Sequence, residues 1–321
     1  MEEKPFKTLD EQIAILKSRG MYISDVAKAK EYLGDYTYYS VINGYSDLFW
    51  DSPSRSSYKK GTSFGEIKAL HHFDESLRRT LTTYILEIES IVKSQIVYHF
   101  CNDKDSNSNY IHAPEDYLLA SSFDQDRAER VDDLIKRLKN IIKEAKKHNS
   151  AIKHYSAKYN SIPLWVLATQ MSFGETVLFY HCLLPSERNA VARRFGIREN
   201  ELESFLRVLK DFRNSIAHSN RVYCFKTVHR ITSLVNNDGT SDKIEIRANT
   251  RFGSILFILC HLLSQKEFKH VCNTISTLFK GLSHKLNTIT SSDVCSKMGI
   301  PKSMRERYSI SIVDEGNLSE S

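Results

Sequence analysis

Glycine and proline are scarce in this chain, at 12 and 6 of 321 residues. That scarcity argues against a turn-rich all-β protein and against a Pro/Gly-rich disordered one. Cysteine is limited to six residues, Cys101, Cys182, Cys224, Cys260, Cys272 and Cys295. None forms a C-x-x-C pair, and no Cys/His cluster has zinc-ligand spacing, so no metal site is expected. Most of them fall in apolar stretches and read as reduced core residues of a cytosolic protein. The longest apolar run, "SILFILCHLLS", is about half a membrane span. The opening "MEEKPFKTLDEQ" is polar and acidic, unlike a signal peptide. Together these features point to a soluble, cytoplasmic chain with no membrane partner. Also missing are G-x-G-x-x-G, a Walker loop, G-x-S-x-G, H-E-x-x-H and any internal repeat, which removes many common enzyme classes and any evident cofactor.

What is present is ordinary globular material, with 41% apolar and 26% charged residues. The length allows one large domain or two small ones. The 45 basic residues exceed the 39 acidic ones by only 6, a balance that permits a polyanionic partner without demanding one.

Helical periodicity dominates, and it predicts an all-α fold. Thr8 and Glu11 make a T-x-x-E capping box before "LDEQIAILKSR", and Gly20 stops that helix. A second short helix is predicted over 25–33, closed by Gly34. Then "YTYYSVINGYSDLFW" places four tyrosines, a phenylalanine and a tryptophan in fifteen residues. Such aromatics stack on bases in some proteins and fill cores in more of them. Residues 51–62 read as a loop. A long helix is predicted from about Phe64 to Phe100, with Leu77, Leu81, Tyr84, Ile85, Ile88, Ile91, Val92 and Ile96 on its apolar stripe. Residues 102–125 read as loop and 126–148 as a basic helix. "IPLWVLATQMSFGETVLFYHCLL" predicts a buried helix broken near Gly174. Asn200 is the predicted cap of the next helix. A small β-hairpin is predicted over 236–250, helix again over 252–287, and a fraying polar tail after about Tyr308.

One short stretch carries chemistry: "DFRNSIAHSN", residues 211–220. On an ideal helix Leu202, Phe205, Leu206, Leu209, Phe212 and Ile216 form one apolar face. Asn214 and His218 are i, i+4 neighbours on the far side. Arg213 falls about 40° from the apolar centre and about 140° from His218. Three arrangements account for this: a structural arginine at the core edge, a helix that ends near His218, or a site completed by a second copy. Imidazole moves protons near neutral pH, and guanidinium holds a phosphate and stabilises charge developing on it. RNA brings its own nucleophile in the 2′-hydroxyl, so a His/Arg site can cleave it with no metal.

Several blocks in sequence order resemble the Abi-like abortive-infection family (AbiD/AbiF type), a branch of the HEPN superfamily. They are "LDEQIAILKSRGMYISDVAKAKEYLGDYTYYSVINGY", "FDESLRRTLTTYILEIESIVKSQIVYHF", "IPLWVLATQMSFGETVLFY", "LRVLKDFRNSIAHSNRVY" and "KMGIPKSM", where Ile300 replaces the usual aromatic. The resemblance spans about residues 6–305. It implies an all-α HEPN-like bundle with an N-terminal helical extension, organised as 1–62, 63–290 and 291–321. It also implies a homodimer whose R-x-x-x-x-H motifs meet in one cleft, and metal-independent endoribonuclease activity directed at RNA. The motif positions are Arg213, Asn214 and His218. Asn220 stands two residues after His218, where some HEPN toxins have tyrosine, which argues against assigning that role to Tyr223. Lys136, Arg137, Lys139, Lys143, Lys146 and Lys147 read either as a solvated helix face or as a phosphate track, and with Arg207 and Lys210 they are the expected RNA-binding residues. The alternative is a non-catalytic module that binds RNA or protein, including a structured small RNA, through the basic helix and the aromatic block.

Overall fold

In the computed structural model, residues 5–102, 112–232 and 250–312 are described. The expected hairpin and the end of the polar tail lie outside them. Among the described residues the chain is all-α, with two isolated β-bridges, Tyr22 to Ser63 and Trp50 to Tyr58, and no sheet. No helix among them is long and apolar enough to cross a membrane. The six cysteines form no disulfide.

Helix α1 (Leu9–Ser18) starts on the expected capping box, in which Thr8 and Glu11 satisfy each other's backbone amides. Helix α2 (Val26–Tyr36) starts at Asp25 and runs through Gly34 instead of stopping there. An internal glycine costs a helix only about 1 kcal/mol. Tyr36 packs on Tyr32 with 4.8 Å between ring centroids and on His71 at 4.9 Å, which holds the last turn. The helix ends where Thr37 adopts φ 56°. A single turn of π-helix, Tyr39–Asn43, comes next.

Helix α3 (Phe64–Cys101) is the central strut, 38 residues long. It lacks proline, and Leu70, Phe73, Leu77, Leu81, Ile85, Ile88, Val92, Ile96 and Phe100 recur every three or four residues on its buried stripe. Helix α4 (Ala128–His148) carries the basic segment, and α5 (Ser150–Tyr159) continues from it. The next apolar stretch breaks earlier than expected. It forms α6 (Leu164–Leu167), a short turn, and α7 (Phe173–Cys182). Ser172 and Glu175 build a capping box there, so Gly174 sits inside the first turn of α7 and the chain bends before it.

Helix α8 (Pro185–Arg193) leads to α9 (Glu199–Ala217), the motif helix. Arg198, not Asn200, is its N-cap position, where the Glu201 carboxylate accepts the Arg198 amide at 2.9 Å. The stretch read as one helix over 252–287 is two, α10 (Phe252–Leu262) and α11 (Gln265–Ser283), because Ser264 and Glu267 form another capping box. Helices α12 (Ser291–Met298) and α13 (Lys302–Arg307) complete the series. Helix α3 packs against α7, α8, α9 and α11, and α10 wedges between α9 and α11. Buried side chains from Ile13 to Ile310 join one apolar core.

Glu66 ties the beginning of α3 to the far end of the chain. Its Oε2 accepts the Ser63 amide at 2.9 Å and closes the α3 capping box. Its Oε1 accepts the amides of Asn287 and Thr288, both at 2.7 Å, and the Thr288 hydroxyl at 2.8 Å. A fully buried carboxylate is tolerated because every partner is a donor. In Glu66→Gln the new amide group faces donors on one side or the other. The variant should lose about 1–3 kcal/mol in urea unfolding, read as a lower midpoint at unchanged slope. A loss under about 0.5 kcal/mol would contradict this role for Glu66.

Candidate functional site at the end of helix α9

The apolar face of α9 is as the spacing requires: Leu202, Phe205, Leu206, Leu209 and Phe212 are completely buried. Asn214 and His218 are exposed on the opposite side. The helix ends at Ala217, and His218 is the capping residue at φ −90°, ψ 15°. Ser219 then turns left-handed at φ 55°. The Ser219 amide donates to the Ile216 carbonyl at 2.9 Å and the Asn220 amide to the Ser215 carbonyl at 2.9 Å. This is a Schellman stop, with serine in the position usually given to glycine.

The left-handed serine is held by contacts from α3 to the turn and to the residues just beyond it. Asp74, in the first third of α3, is fully buried. Its Oδ1 accepts the amides of Val222 and Tyr223 at 2.9 and 2.6 Å, and its Oδ2 accepts the Tyr45 hydroxyl at 2.7 Å. Burial pushes the Asp74 carboxyl up, and these hydrogen bonds and the charge of Arg78 oppose that push. Arg78, one turn along α3, donates to the Ser219 and Asn220 carbonyls at 3.1 and 3.4 Å. Arg221 reaches the other way, to the Gly44 and Asn43 carbonyls at 2.6 and 3.3 Å. Tyr45 and Tyr223 stack at 5.4 Å. The turn after His218 is thus fixed to α3 and to the aromatic segment at once.

Between them lies a cleft of about 600 Å³ whose lining includes His218, Arg221, Arg78, Tyr36, Tyr39 and His71. The aromatic block therefore divides in two. Tyr45 and Phe49 are core, whereas Tyr36 and Tyr39 face solvent at the cleft. The His218 ring makes no hydrogen bond or ion pair among the described residues. His71 forms the cleft wall. Burial, then the charges of His72 and Arg78, hold its imidazole down at about 4, and the neutral ring shares a hydrogen bond of 2.6 Å with the Tyr32 hydroxyl through Nδ1. Donor atoms of His71, His72 and Glu75 lie within 4.8 Å of one another. They are already engaged, His71 by Tyr32 and Glu75 by Arg79 at 2.8 Å.

Arg213 does not join His218. Its Nε lies 3.8 Å from Oε2 of Glu89, a nearly buried carboxylate on α3 that also faces Lys93 at 3.6 Å. Two of the three arrangements read from the helix wheel therefore occur together: an arginine at the core edge, and a helix that ends at the histidine. The third, completion by a second copy, is compatible with both.

The expected RNA-binding residues separate as well. Lys136, Lys139, Lys143, Lys146 and Lys147 are exposed on α4. Arg137 pairs with Asp133 at 3.0 Å and Lys147 with Glu144 at 2.8 Å. Arg207 and Lys210 instead line a small concavity beside α7. Sequence reasoning missed Asp74, Arg78 and Arg221. The i, i+4 spacing of Asp74 and Arg78 was visible, but nothing local says that this pair grips a turn some 140 residues away.

The sequence model of the family described as Abi-like protein matches residues 31–224. That is more than half of this all-α chain, and the chain belongs to the Abi-like family. The match starts within α2 and ends one residue after Tyr223, so it takes in both walls of the cleft. Comparisons with curated proteins and with solved structures gave no match.

Asp74→Ala strands two amides and a hydroxyl in the interior and should cost about 3 kcal/mol or more, with faster amide exchange at Val222 and Tyr223; a cost below about 1 kcal/mol would contradict the clamp. His71 has a lower pKa folded than unfolded, so its contribution is complete above the unfolded value of 6.5 and is lost as pH falls from there toward about 4. Urea unfolding should show about 1–3 kcal/mol lost over that interval, and His71→Asn should lose less; equal losses would exclude His71 as the source.

Proposed function

We propose that this protein is an anti-phage abortive-infection ribonuclease that cuts RNA without a metal at the end of α9. The observation that carries this is His218. It is an exposed imidazole with no protein partner among the described residues, placed by a rigid turn at the mouth of a cleft that also holds two guanidinium groups and two exposed tyrosines. An imidazole held this way is free to serve a substrate as general base for the 2′-hydroxyl and then as general acid. Tyr36 and Tyr39 offer faces on which bases can stack.

Arg213 supplies the charge opposite the phosphate in this mechanism, and Asn214 orients the strand. Because Arg213 is turned toward Glu89, it acts on the strand bound at the partner's His218, in a homodimer whose two α9 ends converge. Family membership supports the abortive-infection role, and the separation of Arg213 from His218 supports the shared site. The competing possibility, a binding module that does not cut, would leave His218 without a task.

Labelled single-stranded RNA incubated with the protein in EDTA tests this directly. Wild type should cleave, and His218→Ala should lose cleavage by at least about 100-fold. Because the ring is exposed and unbonded, the variant should unfold within about 0.5 kcal/mol of wild type. Persistent cleavage by the folded variant would remove His218 from the mechanism, and RNA retention without cleavage by either protein would favour the binding module.

A further inference from the structure

Away from the cleft, a second concavity of about 190 Å³ opens between α4, α7 and α9. Its walls are Arg130, His181, Arg207, Lys210 and His229, and its floor is Gly174, Val177 and Leu178. The volume is below that of an ordinary small-molecule site, so it suits one small charged group. Three fixed positive charges line it, those of Arg130, Arg207 and Lys210. Two carboxylates oppose them, Glu203 and Asp211.

Both carboxylates are committed to partners. Glu203 takes Arg207 at 2.5 Å, Arg127 at 3.0 Å and Nδ1 of His181 at 2.7 Å. Burial opposes its ionisation, but the His181 hydrogen bond and the charges of His181 and Arg127 prevail and hold it at about 2. Asp211 takes the Thr227 hydroxyl and Nδ1 of His229, the latter at 2.7 Å. A carboxylate only accepts, so His229 donates to Asp211 through Nδ1, while Nδ1 of His181 also lies 2.8 Å from Nη1 of Arg127 and 3.3 Å from Nη2 of Arg207 and is taken up within this network. Arg130 and Lys210 have no ion pair among the described residues. The acids are thus spent within the walls, while the two cations Arg130 and Lys210 line the cavity without a counter-ion among the described residues.

Arg207 and His218 lie on one side of α9. Eleven residues separate them, about 16 Å of rise and about 20° of rotation, with Asn214 between them. We propose that this concavity binds a backbone phosphate of the same RNA strand that reaches His218, several nucleotides from the bond to be cut. It acts as a register site that sets how the strand lies along α9. The proposal rests on the ribonuclease reading and adds a separate place on the protein to it.

The test uses Arg130→Gln/Lys210→Gln in the full chain, both proteins also carrying His218→Ala so that the probe survives. Binding of 5′-labelled oligouridylates of two and eight nucleotides is followed by fluorescence anisotropy in EDTA across a salt series. The octanucleotide should bind the double variant about 5–20-fold more weakly, and its salt slope should fall by about 0.7–1.4. The dinucleotide, too short to span both places, should be unaffected. An octanucleotide bound with unchanged affinity and slope would overturn the register site alone. Equal weakening of both lengths would overturn the spacing, by putting the concavity at the scissile phosphate. No octanucleotide binding by the parent would overturn the RNA reading itself.

Discussion

A buried carboxylate on the central helix organises the candidate site. Asp74 spends both oxygens on donors from two distant segments, the turn after α9 and the aromatic stretch before α3. A buried charge of this kind is costly unless every lone pair is used, and here the partners use them. The consequence is geometric. The backbone after His218 cannot drift, the left-handed Ser219 is kept, and the N-terminal segment is drawn against the end of α9 to make a cleft. Without that clamp, Tyr36 and Tyr39 would have no fixed relation to His218.

The same helix gives Arg213 and His218 opposite fates. α9 must bury one full face against the core, so a residue about 40° from that face meets α3, and one about 180° away meets water. Glu89 waits at the first place, and solvent at the second. In the proposed homodimer, twofold symmetry would bring each motif to the other's side, so that a motif split this way within one chain could be completed by two.

Much of this was legible in the sequence. A capping box located α1, and apolar spacing located α3 and the buried face of α9, because those signals are local. The breaks were less readable. Gly34 and Gly174 look like helix stops, yet packing on Tyr32 and His71 carried α2 past the first, and the Ser172–Glu175 box moved the second break upstream. The halves of the site were visible as residue types, His218 from its pattern and Arg213 from its odd angle. The clamp was not, because Asp74 meets Val222 and Tyr223 only through the fold. Arg207 and Lys210 were noticed as charges, but the concavity they share with Arg130 needs three helices to exist.

Complementation measures most directly whether one chain's Arg213 serves its partner's His218, as proposed. Arg213→Ala and His218→Ala, each inactive alone, are unfolded together, refolded as a mixture and assayed on RNA in EDTA. Random pairing under twofold symmetry restores one intact site in half of the dimers, so about a quarter of wild-type activity should return. A mixture as inactive as its components would contradict the shared site.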